Sequence, residues 1–135
     1  MKTNFKFYKD LRFLVIDDDD FLRTQAVDVL VSLGFDINSI LTAENGQKAL
    51  EIASANDIEF FVVDLVMPIM NGIDFLNEIN KVEKYKTVPK LVLSSESDYN
   101  IIITAVKAGA NSYLNKPCEK LPMAKKLFDC LKKKK

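Results

Sequence analysis

Five times along the chain a short apolar run gives way to a segment of helical spacing, and this alternation limits the fold more than any other feature. Residues 11–16, 39–43, 58–63, 90–94 and 112–115 read as strands. The third is the most telling. Ile58 and then Phe60, Phe61, Val62 and Val63 form a run fit for burial on both faces of a sheet, and it stops at one carboxylate, Asp64. Pro68 ends strand pairing, and Asn71-Gly72 supplies a turn. Between the strands, Leu22, Ala26, Val29, Leu30 and Leu33 share a helical face, as do Ile73, Leu76, Ile79 and Asn80, and as do Leu121, Ala124, Leu127, Phe128 and Leu131. Asp19 or Asp20 suits the cap of the first helix, and Ser97 or Asp98 that of the fourth. Gly34 and Gly109 suit their ends. The third helix is expected over residues 72–82. Strand–helix alternation predicts an α/β fold with a doubly wound parallel sheet and helices on both faces. Right-handed crossovers leave few topologies. In such sheets, functional groups gather at the carboxyl ends of the strands.

At 135 residues the chain is expected to form one domain over residues 11–131, with a short leader at 1–10 and a lysine tail at 132–135. Nineteen basic and nineteen acidic residues cancel, so there is no net pull toward nucleic acid or an anionic membrane, and neither is expected as a partner. No stretch has signal-peptide or membrane-span character, and two cysteines without CxxC spacing fit a reduced, cytoplasmic protein. The absence of histidine removes His-based zinc sites and Ser-His or Cys-His nucleophiles.

The strand ends carry the chemistry. The first strand contributes Asp17 and Asp18, the third Asp64, the fourth Ser94 and Ser95, and the fifth Lys116. Two carboxylates about 4 Å apart repel by ~4 kcal/mol at an effective dielectric of 20. Three on one rim need a counter-cation or raised pKa values. Lys116 can neutralise one. A divalent cation answers the rest, and an all-oxygen donor set points to Mg²⁺. Metal, amine and hydroxyl converging on a carboxylate suit phosphoryl transfer, with Asp64 as nucleophile and Asp17 and Asp18 holding the metal directly or through water.

These residues stand in a recognisable order: Val15-Ile16-Asp17-Asp18-Asp19; Ala43-Glu44-Asn45-Gly46 with Ala49-Leu50; Val63-Asp64-Leu65-Val66-Met67-Pro68 with Gly72; Leu93-Ser94-Ser95; Ala108-Gly109-Ala110; and Tyr113-Leu114-Asn115-Lys116-Pro117. From about Leu11 to Leu131 the chain resembles the receiver domain of two-component response regulators, in particular the stand-alone chemotaxis type. The resemblance implies a flavodoxin-like (αβ)5 fold with strand order 2-1-3-4-5. It implies that Asp64 is the phosphoacceptor, that Asp17, Asp18, Asp64 and the backbone carbonyl of Val66 bind Mg²⁺, and that Ser94 and Lys116 contact the phosphoryl group. It also implies a cis bond before Pro117 and a switch made of Ser94 and Tyr113. Val66 and Glu96 fall at variable positions that flank the phosphoryl pocket in this family. Asn71 stands where Asp is frequent.

The function expected is that of a single-domain response regulator, not an enzyme in the ordinary sense. It takes a phosphoryl group from a sensor histidine kinase or a histidine phosphotransfer protein and signals to a downstream protein, since no DNA-binding or catalytic domain follows Leu131. The signalling face would be the fourth helix, fifth strand and fifth helix. In the fourth helix only Asn100, Thr104 and Lys107 form a polar arc, so part of the apolar remainder should stay exposed. Two alternatives stand beside this reading. One is a scaffold that keeps the fold without phosphorylation. The other is an aspartate-nucleophile phosphatase of the haloacid dehalogenase type, whose motif Asp17-x-Asp19 mimics, although Phe21 does not fit it.

Overall fold

The computed structural model of the chain describes Phe5 and residues 8–132. Most of the leader and the tail lysines 133–135 lie outside the described residues. Five parallel strands form one sheet in the order β2-β1-β3-β4-β5. The strands are β1 (Phe13–Ile16), β2 (Ile40–Ala43), β3 (Phe60–Val63), β4 (Lys90–Ser94) and β5 (Ser112–Asn115). Five helices alternate with them: α1 (Asp20–Ser32), α2 (Gly46–Ala55), α3 (Gly72–Ile79), α4 (Tyr99–Lys107) and α5 (Lys120–Lys132). Every residue of β1, β3 and β4 is buried, whereas the edge strand β5 is not fully buried anywhere. That difference follows from position, because central parallel strands are covered on both faces and edge strands are not.

Alternating side chains feed two cores. On one face Phe13, Val15, Phe60, Val62, Leu91 and Leu93 pack with α1 and α5. On the other, Leu14, Ile16, Phe61, Val63 and Val92 pack with α2, α3 and α4. Full burial of each such Phe, Leu or Val contributes roughly 1.5–3 kcal/mol. Phe5 joins the first core, its ring centroid 5.1 Å from that of Phe35, which in turn lies 4.8 Å from Phe13.

The helix α3 is shorter than the periodicity predicts, ending at Ile79 instead of Val82. Its cap residue Asn80 donates through Nδ2 to the Ala108 carbonyl at the end of α4. The chain then makes a 3-10 turn at Glu83–Tyr85 that returns Tyr85 to the core. There the Tyr85 hydroxyl lies 2.7 Å from the Ala53 carbonyl and accepts from the Ile58 amide at 3.3 Å. A buried phenol with both roles met recovers more than another helical turn would contribute on the surface. Among the described residues no helix is long and apolar enough to cross a membrane.

Candidate functional site

The site begins where the strands stop, because the ladder runs on by one residue. The Asp17 amide donates to Ala43 O at 3.1 Å, Asp64 to Ile16 O at 2.9 Å, and Lys116 to Ser94 O at 3.0 Å. Backbone pairing with a neighbouring strand thus fixes three of the candidate site residues, although none is inside a strand. Ser94, the last residue of β4, is 1% exposed. Since Val63 pairs with Val92, Ser94 leaves the sheet beside Asp64.

Asp17, Asp18 and Asp64 each present a carboxylate oxygen, and the three atoms lie within 4.8 Å of one another. Asp17 and Asp64 are buried, and Asp18 is exposed. Lys116 Nζ stands 2.6 Å from Asp17 Oδ2 and 3.5 Å from Asp64 Oδ2. Burial raises the pKa of Asp64 above 3.8. Lys116 opposes that, the Asp17 charge adds to it, and an N–H bond from Val66 opposes it again. Burial pulls the Lys116 ammonium down, but Asp17 and Asp64 outweigh it and leave its pKa raised. One ammonium therefore faces two buried carboxylates and leaves a net negative pocket. Hard oxygen donors in such a pocket suit a hard divalent cation.

Several local devices hold this arrangement. Gly72 opens α3 so close to the end of β3 that a Cβ there would lie 2.1 Å from the Asp64 carbonyl. The Lys116–Pro117 bond is cis, as the resemblance implies. Val66 follows two residues after Asp64, with its side chain 67% exposed. Its neighbour Ile69 sits at φ 68°, in a tight turn closed by Met70 N to Pro68 O at 2.7 Å.

The fourth and fifth strands carry a second set of contacts. Ser94 Oγ accepts from the Glu96 amide at 3.2 Å, and the Tyr113 hydroxyl donates to the Glu96 carbonyl. Burial and then the Glu96 charge raise the Tyr113 phenol pKa, while the Ser94 hydroxyl beside it opposes the shift. The residue at the strand-four hydroxyl and the aromatic of β5 therefore meet through one loop. In α4 only Ala105 is fully buried, and Tyr99 and Val106 are 73% and 54% exposed, which agrees with the excess of apolar surface in its sequence.

The acidic run resolves into separate roles. Asp17 and Asp18 join the cluster, and Asp19 caps α1 by accepting from Leu22 N at 2.9 Å. Asp20 pairs with Arg23, whose Nη1 also donates to the Asp17 carbonyl at 2.7 Å. Sequence reasoning did not single out Arg23. The available signal was its i+3 spacing from Asp20 at the start of a helix.

Comparison with known proteins agrees with this geometry. Residues 13–128 match the family model described as the response regulator receiver domain. The chain is 33% identical over 122 residues to a chemotaxis protein CheY homolog of Campylobacter jejuni, covering 90% of this chain and 92% of the relative. The structure of CheY4 from Vibrio cholerae superposes with a TM-score of 0.81 at 26% identity, covering 89% of this chain and 98% of the other. CheY in the CheX–CheY–BeF3–Mg complex from Borrelia burgdorferi shares the fold, with a TM-score of 0.82 at 24% identity and coverage of 90% and 89%. The chain belongs to the response regulator receiver domain family of two-component signalling.

Proposed function

We propose that residues 11–131 form a phosphorylation switch, with Asp64 as the phosphoacceptor. The observation that carries the reading is the placement of Asp64, buried at the end of the central strand between one ammonium and two further carboxylates. The donor would be a phosphohistidine of a sensor histidine kinase or a histidine phosphotransfer protein. A carboxylate oxygen of Asp64 forms the new bond to phosphorus as the phosphorus–nitrogen bond breaks. The electron pair returns to the imidazole nitrogen, which takes a proton from solvent.

The residues that would hold Mg²⁺ are Asp17, Asp18, Asp64 and the backbone carbonyl of Val66. When bound, the ion neutralises charge on the phosphoryl oxygens and on the acidic pocket. Lys116 already bridges Asp17 and Asp64, so its ammonium is poised to follow the phosphoryl oxygens as negative charge builds. Ser94, buried at the end of β4, can turn its hydroxyl from the Glu96 amide to a phosphoryl oxygen. That exchange would release the Glu96 loop and shift Tyr113, altering the surface of α4, β5 and α5 for a downstream protein. The exposed Tyr99 and Val106 belong to that surface. No nucleic-acid or membrane partner is proposed, and the expected compartment is the cytoplasm.

The test is the intact mass after incubation with acetyl phosphate and Mg²⁺, with Asp64→Asn alongside. A Mg²⁺-dependent gain of one phosphoryl group in the wild type only is expected. A folded protein that gains none, from the small donor or from a phosphohistidine protein, would instead be a scaffold on the same fold. Steady hydrolysis of a generic phosphomonoester would point to the phosphatase.

A further inference from the structure

We propose that Arg23 is a positioning residue of the metal site, which sorts the run Asp17–Asp20 into two acids that face the cation and two that do not. The inference rests on the Mg²⁺ reading above and extends it to a residue outside the donor set.

Four consecutive carboxylates at the start of a helix repel one another, and nothing in their identity decides which of them point to the phosphoacceptor. The contacts decide it. Asp19 is committed to the amide of Leu22, where an acid also complements the helix dipole. Asp20 would follow the helix outward, free to swing, but the Arg23 guanidinium holds it one turn along. The same guanidinium donates through its other terminal nitrogen to the carbonyl of Asp17 at 2.7 Å. That carbonyl begins the peptide joining the two acids of the cluster, so Arg23 grips the backbone between Asp17 and Asp18. Asp17 is fixed on its other sides by the Ala43 carbonyl, which accepts from its amide, by the Asp19 amide, which donates to its Oδ1 at 3.0 Å, and by Lys116 at its Oδ2. Asp18 has no side-chain tie among the described contacts, and its place in the cluster depends on the two peptides around it, one gripped by Arg23 at the Asp17 carbonyl and the next held by the Asp19 amide on Asp17 Oδ1. The Arg23 side chain is 18% exposed and lines a cavity of about 220 Å³ with Thr42, Glu44, Lys48 and Ile52. Its planar fork can bond a carbonyl and a carboxylate at once, which a lysine ammonium on a flexible stem does less well.

The sign of the effect separates positioning from simple electrostatics. Arg23 is a cation beside a cation site, so by Coulomb's law alone its removal should tighten Mg²⁺ binding. If it orders the ligands, its removal should loosen binding, as loss of an outer contact to a metal ligand does, by about 10-fold or more.

The experiment is calorimetric titration of Mg²⁺ into the wild type, Arg23→Met and Arg23→Lys, each checked for a folded circular dichroism spectrum. Arg23→Met keeps the aliphatic stem in its cavity and removes every donor. We expect it to bind Mg²⁺ about 10-fold more weakly, with Arg23→Lys in between. Unchanged or tighter binding by a folded Arg23→Met protein overturns the proposal and leaves the Mg²⁺ site standing. A lower melting temperature with the same Mg²⁺ affinity shows a structural role only and also overturns it. If Arg23→Met does not fold, Arg23→Lys decides the matter by the same criterion. A wild type that binds no Mg²⁺ overturns the metal reading itself and this inference with it.

Discussion

Replacing Asp64 by Asn should make the metal-free protein more stable, although it removes a buried carboxylate of the acidic cluster. The magnitude can be worked from the pocket. The Asp64 and Asp17 oxygens lie within 4.8 Å, which at an effective dielectric of about 20 is a repulsion of at least ~3.5 kcal/mol. Exposed Asp18, nearer the dielectric of water, adds ~1 kcal/mol. Lys116 at 3.5 Å from Asp64 returns ~4.7 kcal/mol. These contributions nearly cancel, and the cost of burying the Asp64 charge remains. Asn removes that charge and keeps an acceptor for the Val66 amide, while Lys116 keeps its closer partner Asp17 at 2.6 Å. A gain of about 1–3 kcal/mol is expected. For a domain of this size that is roughly 4–10 °C in the melting temperature.

The assay is thermal denaturation followed by circular dichroism at pH 7 with a chelator, then repeated across pH and with Mg²⁺. Because the folded pKa of Asp64 is raised above 3.8, ionising it disfavours the folded state. The penalty is full above the folded pKa and vanishes as pH falls toward 3.8, so the gap between variant and wild type should close on acidification. Mg²⁺ at ten times its Kd would add about 1.4 kcal/mol to the wild type and less to the variant, narrowing the gap from the other side. A variant no more stable than wild type in chelator at pH 7 would refute the reasoning. It would mean that Lys116 neutralises both acids and that the pocket has no need of a divalent ion.

Three further outcomes can be checked. Lys90 is 1% exposed, with Nζ donating to the Tyr85 and Val88 carbonyls, and burial pulls its pKa from 10.5 to about 8. Wild type should therefore gain stability relative to Lys90→Met as pH rises from about 8 to 10.5, by no more than about 3.4 kcal/mol; parallel urea curves would show the ammonium fully compensated by its carbonyls. Gly109 has φ 117° and a Cβ there would lie 1.7 Å from Asn80 Nδ2, so Gly109→Ala should cost about 2 kcal/mol or more in urea denaturation and break the clamp between α3 and α4. Val66 is apolar and 67% exposed two residues past Asp64, so, if it restricts the attacking water, Val66→Asn should shorten the life of the phosphorylated form; an unchanged half-life by intact mass would remove that role.

The parts of this molecule that were legible in the chain are those where one residue suffices to break a local pattern. Asp64 was visible because a charge ends an apolar run, and the cap of α4 because a capping residue precedes a helical period; of Ser97 and Asp98, which the sequence leaves open, it is Asp98 that accepts from Asn100 N at 2.8 Å. Strand order came from the family resemblance, since alternation alone does not rank the strands. What stayed hidden depends on where elements meet. Asn80 and Ala108 are 28 residues apart, and their bond shortens α3 by fixing its end against α4, which no periodicity in residues 72–82 records. Lys90 opens a strand that is buried throughout, and nothing in the chain marks the two carbonyls of the preceding turn that take up its ammonium. Arg23 lies between these cases. Its pairing with Asp20 is a helical spacing, but its bond to the Asp17 carbonyl exists only because β1 ends and α1 begins within three residues, turning the chain back on itself. The acids of the cluster announce themselves by type, whereas the contacts around them are set by the sharpness of a turn.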